Sequence, residues 1–143
     1  MDIQLCCRKE VVELHEFFQD WFTGKLPDTD DAFERFPSVI NDSFHIVSPS
    51  GIITSADQIL ALVRSAHNSG EILIWIENHT HLMTLGDAVL VTYEESQSRD
   101  GDKRVLFSSA LLREKEGTPN SLEWLHVHET WLPREEEDEG EEL

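Results

Sequence analysis

The fold is decided by the stretch Trp124-Leu125-His126-Val127-His128-Glu129-Thr130-Trp131-Leu132-Pro133, which contains the pair His126 and His128. A second His-x-His pair, His79 and His81, lies upstream. Residues two apart in a strand share a face, so each pair directs both imidazoles to one side of a sheet. Imidazole is a common ligand for zinc, copper and non-haem iron. Four such rings on adjacent strands would form a metal cage, so the pairs indicate either a metal site or a fold pattern.

Apolar and polar residues alternate around these pairs, as in β-strands, and the sequence predicts helices before these long strands. An apolar stripe between Gln4 and Leu26 predicts the first helix, Thr29 offers N-cap chemistry for a short second one, and a strand is expected over 44–47. Ser55 and Gln58 have capping-box spacing, which predicts a helix that ends near residue 68. Four further strands separated by hairpin turns are predicted at 71–84, 88–98, 103–114 and 121–132. This order indicates an α+β fold, with the helices against one face of a curved antiparallel sheet.

Length and charge limit the classes of protein to which the chain can belong. The 143 residues fit one domain, which we expect over 1–133. The stretch 134–143 holds seven acids and one base, so it is predicted to be an acidic, disordered tail. The formal net charge is −18, with 29 acidic and 11 basic residues. Because phosphate binding requires a basic surface, nucleic acid and anionic membranes are not expected partners.

The cysteines and the hydropathy of the chain indicate the cellular compartment in which the protein is expected. Cys6 and Cys7 are adjacent, too close for an ordinary loop-closing disulfide, and the sequence has no other cysteine. No apolar stretch reaches the roughly eighteen residues that a membrane span needs, and the N-terminus does not read as a secretion signal. We therefore expect a soluble, cytoplasmic protein.

Both faces of the predicted sheet are partly apolar. Val89 and Val91 alternate with Leu90, and Phe107 alternates with Leu106. Since the helices can cover only one face, the other face requires a different cover. A symmetric homodimer through this outer face is the expected partner arrangement.

The layout and two short blocks resemble the nuclear transport factor 2-like superfamily, also called SnoaL-like or cystatin-like. Within it, the chain is similar to the association domain of calcium/calmodulin-dependent protein kinase type II. The blocks that carry the resemblance are 79–83 and 125–133, and the layout covers nearly the whole chain. The resemblance implies a cone-shaped cavity between sheet and helices. The association domain has similar His-x-His pairs and is not regarded as a metalloprotein, so the resemblance implies neither a metal nor a cofactor.

The resemblance also points to a change in the chemistry of the cavity. The association domain lines its pocket with arginines, and matching the blocks without gaps places Glu94, Ala110 and Glu129 at those positions. Glu94 and Glu129 are therefore the candidate general acid and base, or the residues that would hold a cationic ligand. The alternative is that both are strand-end carboxylates in water. The full set of candidate ligand-binding residues is Trp21, His45, Asn78, Glu94, Ala110 and Glu129.

Strand alternation then assigns residues to the outer face. If Glu129 and Glu94 face the cone, their neighbours face away from it. Ile72, Ile74 and Ile76 are assigned inward on the first long strand. The predicted interface residues are Tyr93, Phe107, Trp124, His126 and His128.

Three functions remain open at this point. The first is a stand-alone dimeric domain that binds a small hydrophobic or cationic molecule, without an assignable catalytic activity. The second is a small enzyme of the isomerase, dehydratase, cyclase or hydrolase type, with Glu94 or Glu129 as general base. The third is an oligomerisation module. The identity of the ligand, the pathway and the role of the tail do not follow from the sequence.

Overall fold

Six strands form one curved, open, mostly antiparallel sheet, with the helices gathered on one face. The computed structural model describes residues 1–134, so the predicted acidic tail lies outside the described residues except for Arg134. The strand order is β2-β1-β6-β5-β4-β3. The helices are α1 (Ile3–Phe22), α2 (Asp30–Phe33) and α3 (Ala56–Ser65), with a 3-10 turn at Pro37–Val39. The strands are β1 (Ile40–Val47), β2 (Ile53–Ser55), β3 (Leu73–Leu85), β4 (Ala88–Arg99), β5 (Asp102–Glu114) and β6 (Leu122–Trp131).

Helix α1 occupies most of the predicted stretch from Gln4 to Leu26, beginning at Ile3 and ending at Phe22. The Asp2 side chain caps it by accepting from the backbone N–H groups of Gln4 and Leu5. Beyond its last turn, Gly24 has φ +78°, and a Cβ there would lie 2.6 Å from Oδ1 of Asn68. A glycine is needed at this point both for the left-handed backbone and for the close approach of the chain after α3.

The two shorter helices confirm their predicted caps. The Thr29 hydroxyl accepts from the N–H of Ala32 at the start of α2. Ser55 and Gln58 form the reciprocal capping box of α3, with bonds of 3.3 and 2.9 Å. Within the described residues, none of the helices is long and apolar enough to cross a membrane.

The predicted hairpins are confirmed, but the start of the sheet differs from the prediction. β3 to β6 pair as an antiparallel meander. β1 is longer than expected and pairs in parallel with β6, while the three-residue β2 adds an antiparallel edge strand. The parallel pair is possible because a long stretch of chain separates the two strands.

The core lies between α1 and the inner face of the sheet. Val11, Leu14 and Trp21 on α1 are almost completely buried, as are Val89 and Val91 on β4. Ile72 and Ile74 are buried as predicted. This packing leaves an open space at one end of the layer, between α1, β1, α3 and the central strands.

Candidate functional site

A cavity of about 240 Å³ lies between the inner sheet face and the helices. Its wall is mostly apolar and includes six aromatic side chains, namely Phe18, Phe22, Phe36, Phe44, Tyr93 and Trp124. Its polar groups are His15, Glu95, Gln97 and Glu129. A mostly apolar concave site with a few converging polar groups is typical of a small-molecule site.

His15 and Glu95 form a buried ion pair at one side of the cavity. Nε2 of His15 lies 3.1 Å from Oε1 of Glu95, and its Nδ1 lies 2.7 Å from the carbonyl oxygen of Val11. Because both ring nitrogens face acceptors, the ring donates from both when it is the imidazolium ion. Burial lowers the pKa of His15, but the charge and hydrogen bond of Glu95 outweigh burial and raise it. Burial likewise raises the pKa of Glu95, and the charge of His15 reverses this to a net lowering.

Glu129 is the second carboxylate of the cavity. It lies opposite Ser108 on β5, which in turn lies opposite Tyr93 on β4, so the three residues share the inner face. Burial, together with the charge of Glu95, raises the pKa of Glu129 to about 7, although the charge of His15 acts in the other direction. Burial and the same carboxylates raise the pKa of the Tyr93 phenol well above its ordinary value, which keeps it protonated. The site therefore combines a permanent O–H with an acid that titrates near neutral pH.

Trp124 forms part of the cavity wall and is held by a buried network behind it. Its Nε1–H donates to Glu10 over 2.9 Å. Glu10 also accepts two hydrogen bonds from Arg35, of 2.8 and 3.2 Å, and one from Asn120 of 3.0 Å. The network joins α1 to the loop after α2 and to β6, so the position of the indole is fixed from three directions.

Two predicted orientations on β4 are wrong. Tyr93 was expected to face away from the cavity but is only 2% exposed and lines it. Glu94 was expected to face the cavity but pairs across the sheet with Glu77 and Phe107 on the outer face. The error comes from matching the blocks without gaps. The inner side chain is the next residue, Glu95.

The predicted outward orientation of Trp124 is also wrong. Leu111 pairs with His126 and Leu112 pairs with Trp124, so Leu125 is an extra residue in β6. This β-bulge interrupts the alternation, and Trp124 therefore shares the inner face with Glu129. Beyond the bulge the alternation is regular, and His126 and His128 lie on the outer face as predicted.

The other predicted ligand-binding residues lie away from the cavity. Trp21 is fully buried in the core and donates to the carbonyl of Val63 over 2.7 Å. Ala110 is fully buried but does not line the cavity. His45 is exposed on the outer face, where its ring lies 5.6 Å from that of His126. Asn78 is exposed, with φ 54°, in an irregular part of β3. Of the six, Glu129 is the residue that lines the cavity.

The two His-x-His pairs do not lie on neighbouring strands. β4 and β5 separate His79 and His81 on β3 from the pair on β6. The register shift between Glu77 and Thr80 places His81 opposite Val91, on the inner side. Within residues 1–134 there is no group of three or more His, Cys, Asp or Glu side chains that could hold a metal ion.

His15 and Glu95 were missed in the sequence although both carry a recognisable pattern. His15 lies four residues after Val11 and falls on the apolar stripe of α1, where a polar side chain requires a partner. Glu95 continues the inward alternation of Val91 and Tyr93. Reading β4 from its apolar residues would have selected Glu95 instead of Glu94.

Comparison with known sequences gives one family match and several curated relatives. The model of the family described as sucrose-6-phosphate phosphohydrolase C-terminal matches residues 7–133. Sucrose-phosphatase 2 of Nicotiana tabacum is 28% identical over 127 residues, which cover 86% of this chain and 30% of the relative. Probable sucrose-phosphatase 3a of Arabidopsis thaliana is 24% identical over 135 residues, which cover 92% of this chain and 32% of that relative. The chain thus spans about a third of the length of these relatives.

Comparison with solved structures confirms the predicted fold. A nuclear transport factor 2-like protein of unknown function from Pseudomonas aeruginosa superposes with a TM-score of 0.79 at 23% identity, covering 89% of this chain and 98% of its own. A putative calcium/calmodulin-dependent kinase II association domain from Exiguobacterium sibiricum superposes with a TM-score of 0.61 at 13% identity, covering 94% of this chain and 96% of its own. The fold is therefore nuclear transport factor 2-like, with association domains among its structural neighbours.

Proposed function

This chain belongs to the sucrose-6-phosphate phosphohydrolase C-terminal family, and we propose that residues 1–133 act as a single small-molecule-binding domain. The cavity is the observation that carries the proposal. An apolar cavity of about 150 Å³ can hold benzene, and this one, at about 240 Å³, has room for a somewhat larger molecule. The polar groups at one side would orient a ligand, and the aromatic wall would supply the apolar contact.

The phosphatase activity named for the relatives is not assigned to this cavity. The described residues that line it include neither lysine nor arginine, and its carboxylates would repel a phosphate ester. The match covers only 30% of sucrose-phosphatase 2, so the activity in its name is not carried over to this chain.

Binding of a neutral probe, 3,3-dimethyl-1-butanol, tests the proposal. Two-dimensional NMR should show saturable shifts of the indole N–H signal of Trp124, because the ring of this residue forms part of the cavity wall while its N–H is held by Glu10 behind it. Ile46→Phe places a ring in the cavity and should abolish these shifts. Val47→Phe changes the adjacent, partly buried residue that does not line the cavity and should leave them intact. No saturable shift in the unmodified protein, or equal shifts in both variants, would contradict a ligand cavity.

Self-association through the outer sheet face is the second part of the proposal. Trp75 and Phe107 are 36% and 38% exposed, and Met83 is 46% exposed. Exposed apolar side chains grouped on one face are typical of an interface. Kinase hub and association domains are among the structural neighbours, which supports a domain that assembles with copies of itself.

Acid–base catalysis is a second candidate function, favoured by one observation. Glu129 has a pKa of about 7, which suits a general acid or base at neutral pH. Exchange of the α-protons of cyclopentanone in D2O, followed by NMR, tests this without knowledge of the substrate. Catalysis predicts faster exchange with the unmodified protein than with Glu129→Gln. Equal rates would remove this candidate.

A further inference from the structure

The aromatic side chains of the cavity are arranged around its polar side. The Phe18 ring lies 5.0 Å from that of Phe36 and stacks at 5.9 Å on that of Phe22. The Tyr93 and Trp124 rings are 6.5 Å apart and nearly perpendicular. Aromatic rings around one small space favour a cation over an anion, because a ring face carries partial negative charge.

One carboxylate of the cavity, that of Glu129, has no direct ion-pair or hydrogen-bond partner among the residues that the structure describes. Glu95 is neutralised by His15, which lies 3.1 Å away. Among residues 1–134, Glu129 has neither an ion pair nor a hydrogen bond, although it is partly buried and lines the cavity. The Glu129 oxygens are not among the described side-chain atoms that are sealed from solvent without a partner, so they are open to a molecule that enters the cavity.

We propose that the cavity recognises a small alkylammonium ion, whose charged nitrogen lies beside the Glu129 carboxylate and whose apolar body contacts the aromatic wall. This inference rests on the proposed binding function. The cation would give Glu129 a direct charge partner, which His15 does not provide because it is already paired with Glu95. An anionic ligand is disfavoured because the described lining residues offer no lysine or arginine.

The groups that face Glu129 give the binding a definite pH dependence. They are His15 on α1, Glu95 and Tyr93 on β4, and Ser108 on β5. Tyr93 stays protonated because its pKa is raised, and the ion pair of His15 with Glu95 is neutral as a whole. With a pKa of about 7 for Glu129, its ionised fraction rises steeply from pH 6 to pH 8. Since only the ionised form attracts a cation, the affinity should rise roughly tenfold over this interval.

Three probes with one carbon skeleton test the charge preference by calorimetry and NMR titration. They are 3,3-dimethylbutylamine, 3,3-dimethyl-1-butanol and 3,3-dimethylbutanoate, which are cationic, neutral and anionic at neutral pH. The amine should bind at least tenfold more tightly than the alcohol at about pH 8, and the carboxylate should bind more weakly than both. Only the amine should gain affinity as the pH rises. Equal affinities for amine and alcohol, or a preference for the carboxylate, would overturn the inference.

Glu129→Gln and Glu94→Gln form the matched pair of variants. The first should remove the preference for the amine and its pH dependence while retaining binding of the alcohol. The second removes a carboxylate on the outer face and should change neither. An amine preference that persists in Glu129→Gln would overturn the assignment. If that variant does not fold, the three probes and the pH series on the unmodified protein still decide the question. Binding of the alcohol without preference for the amine would leave the proposed function standing and reject only the charge assignment.

Discussion

Glu10 is a fully buried residue whose charge is enclosed by protein groups. Its side chain has no exposed surface and accepts four hydrogen bonds from Arg35, Asn120 and Trp124. A buried charge in such a network adds little net stability compared with an apolar core, but removing one member leaves the others unpaired. Glu10 is therefore a positioning residue, because it holds the indole that forms part of the cavity wall.

Glu10→Gln should destabilise the protein by roughly 3–5 kcal/mol, since it leaves the partly buried Arg35 guanidinium without its counter-charge. Glu13→Gln is the matched control. Glu13 also accepts from Asn120, over 2.9 Å, but it lies outside the Arg35 pair, and its loss should cost less than about 1 kcal/mol. Urea unfolding followed by tryptophan fluorescence measures both values. Similar losses in the two variants would contradict the central position of Glu10.

Glu129 should make the folded state less stable as the pH rises. Its pKa is about 7 in the folded state, above its ordinary value of 4.5, so the folded protein holds this proton over a range where the unfolded chain has lost it. The stabilisation from this raised pKa is fully present below about pH 4.5 and is lost as the pH rises to about 7, a change of about 3 kcal/mol.

Comparing Glu129→Gln with the unmodified protein isolates this effect. The free energy of unfolding of the variant should exceed that of the unmodified protein by a margin that grows from about pH 5 to about pH 8. Glu94→Gln, which removes a carboxylate from the outer face of the same sheet, is the matched control. A constant difference across the pH range would mean that the Glu129 pKa is not raised.

At the scale of single residues, the sequence predicted chemistry better than orientation. Glu129 lines the cavity because β6 alternates regularly beyond its bulge, whereas its role in binding or catalysis stays a prediction. The predicted orientation of Glu94 is wrong, because the apolar alternation of β4 continues inward to Glu95, which an ungapped match does not follow. The pairing of Glu95 with His15 joins β4 to α1, and a contact between distant segments is not encoded in local spacing.

Among the secondary-structure elements, α3 depends strongly on the hydrogen bonds of its first turn, because the helix is short. It has ten residues, which is short for a helix that must form mainly by local interactions. Its capping box satisfies backbone N–H groups at the N-terminus, and its buried side includes Val63, which lines the cavity. Loss of the cap would therefore loosen one wall of the cavity.

Ser55→Ala should lower the free energy of unfolding by about 1 kcal/mol, because the N–H of Gln58 loses its acceptor. Ser65→Ala, at the other end of the same helix, removes a hydroxyl that only donates to the carbonyl of Leu62 and should cost less than about 0.5 kcal/mol. Thermal and urea unfolding measure the difference. If the two variants are equally stable, the capping box does not stabilise α3.

Helices and strands whose ends are set by caps and turns could be predicted from the sequence, whereas the irregularities within the strands could not. The capping residues and turn sequences placed the helices and the four long strands within a few residues of their observed bounds. The extra residue at Leu125 and the shifts between Glu77 and Thr80 leave no pattern in composition, yet each changes which side chains face inward. The parallel pairing of β1 with β6 was also missed, because it joins segments about eighty residues apart.

For the whole molecule, the two faces of the sheet are proposed to have separate functions. The inner face carries the cavity with His15, Glu95 and Glu129, whereas the outer face carries exposed apolar residues such as Trp75 and Phe107. A ligand in the cavity and a second copy on the outer face would not compete for the same surface. Substitutions on one face should therefore leave the function of the other intact, apart from shared effects on stability.

A charge introduced on the outer face of the sheet should weaken self-association without altering the cavity on the inner face. Phe107→Lys replaces an aromatic side chain that is 38% exposed near the centre of that face, and in a symmetric dimer the change occurs twice. The dimer dissociation constant should rise at least roughly tenfold, as expected for the loss of an aromatic interface contact. Leu62→Lys on α3, where the leucine is 61% exposed, is the control and should leave association unchanged. Sedimentation velocity over a concentration series measures the dimer dissociation constant of both variants. If the unmodified protein is monomeric at micromolar concentration, or if the two variants have equal effects, the outer face is excluded as the interface.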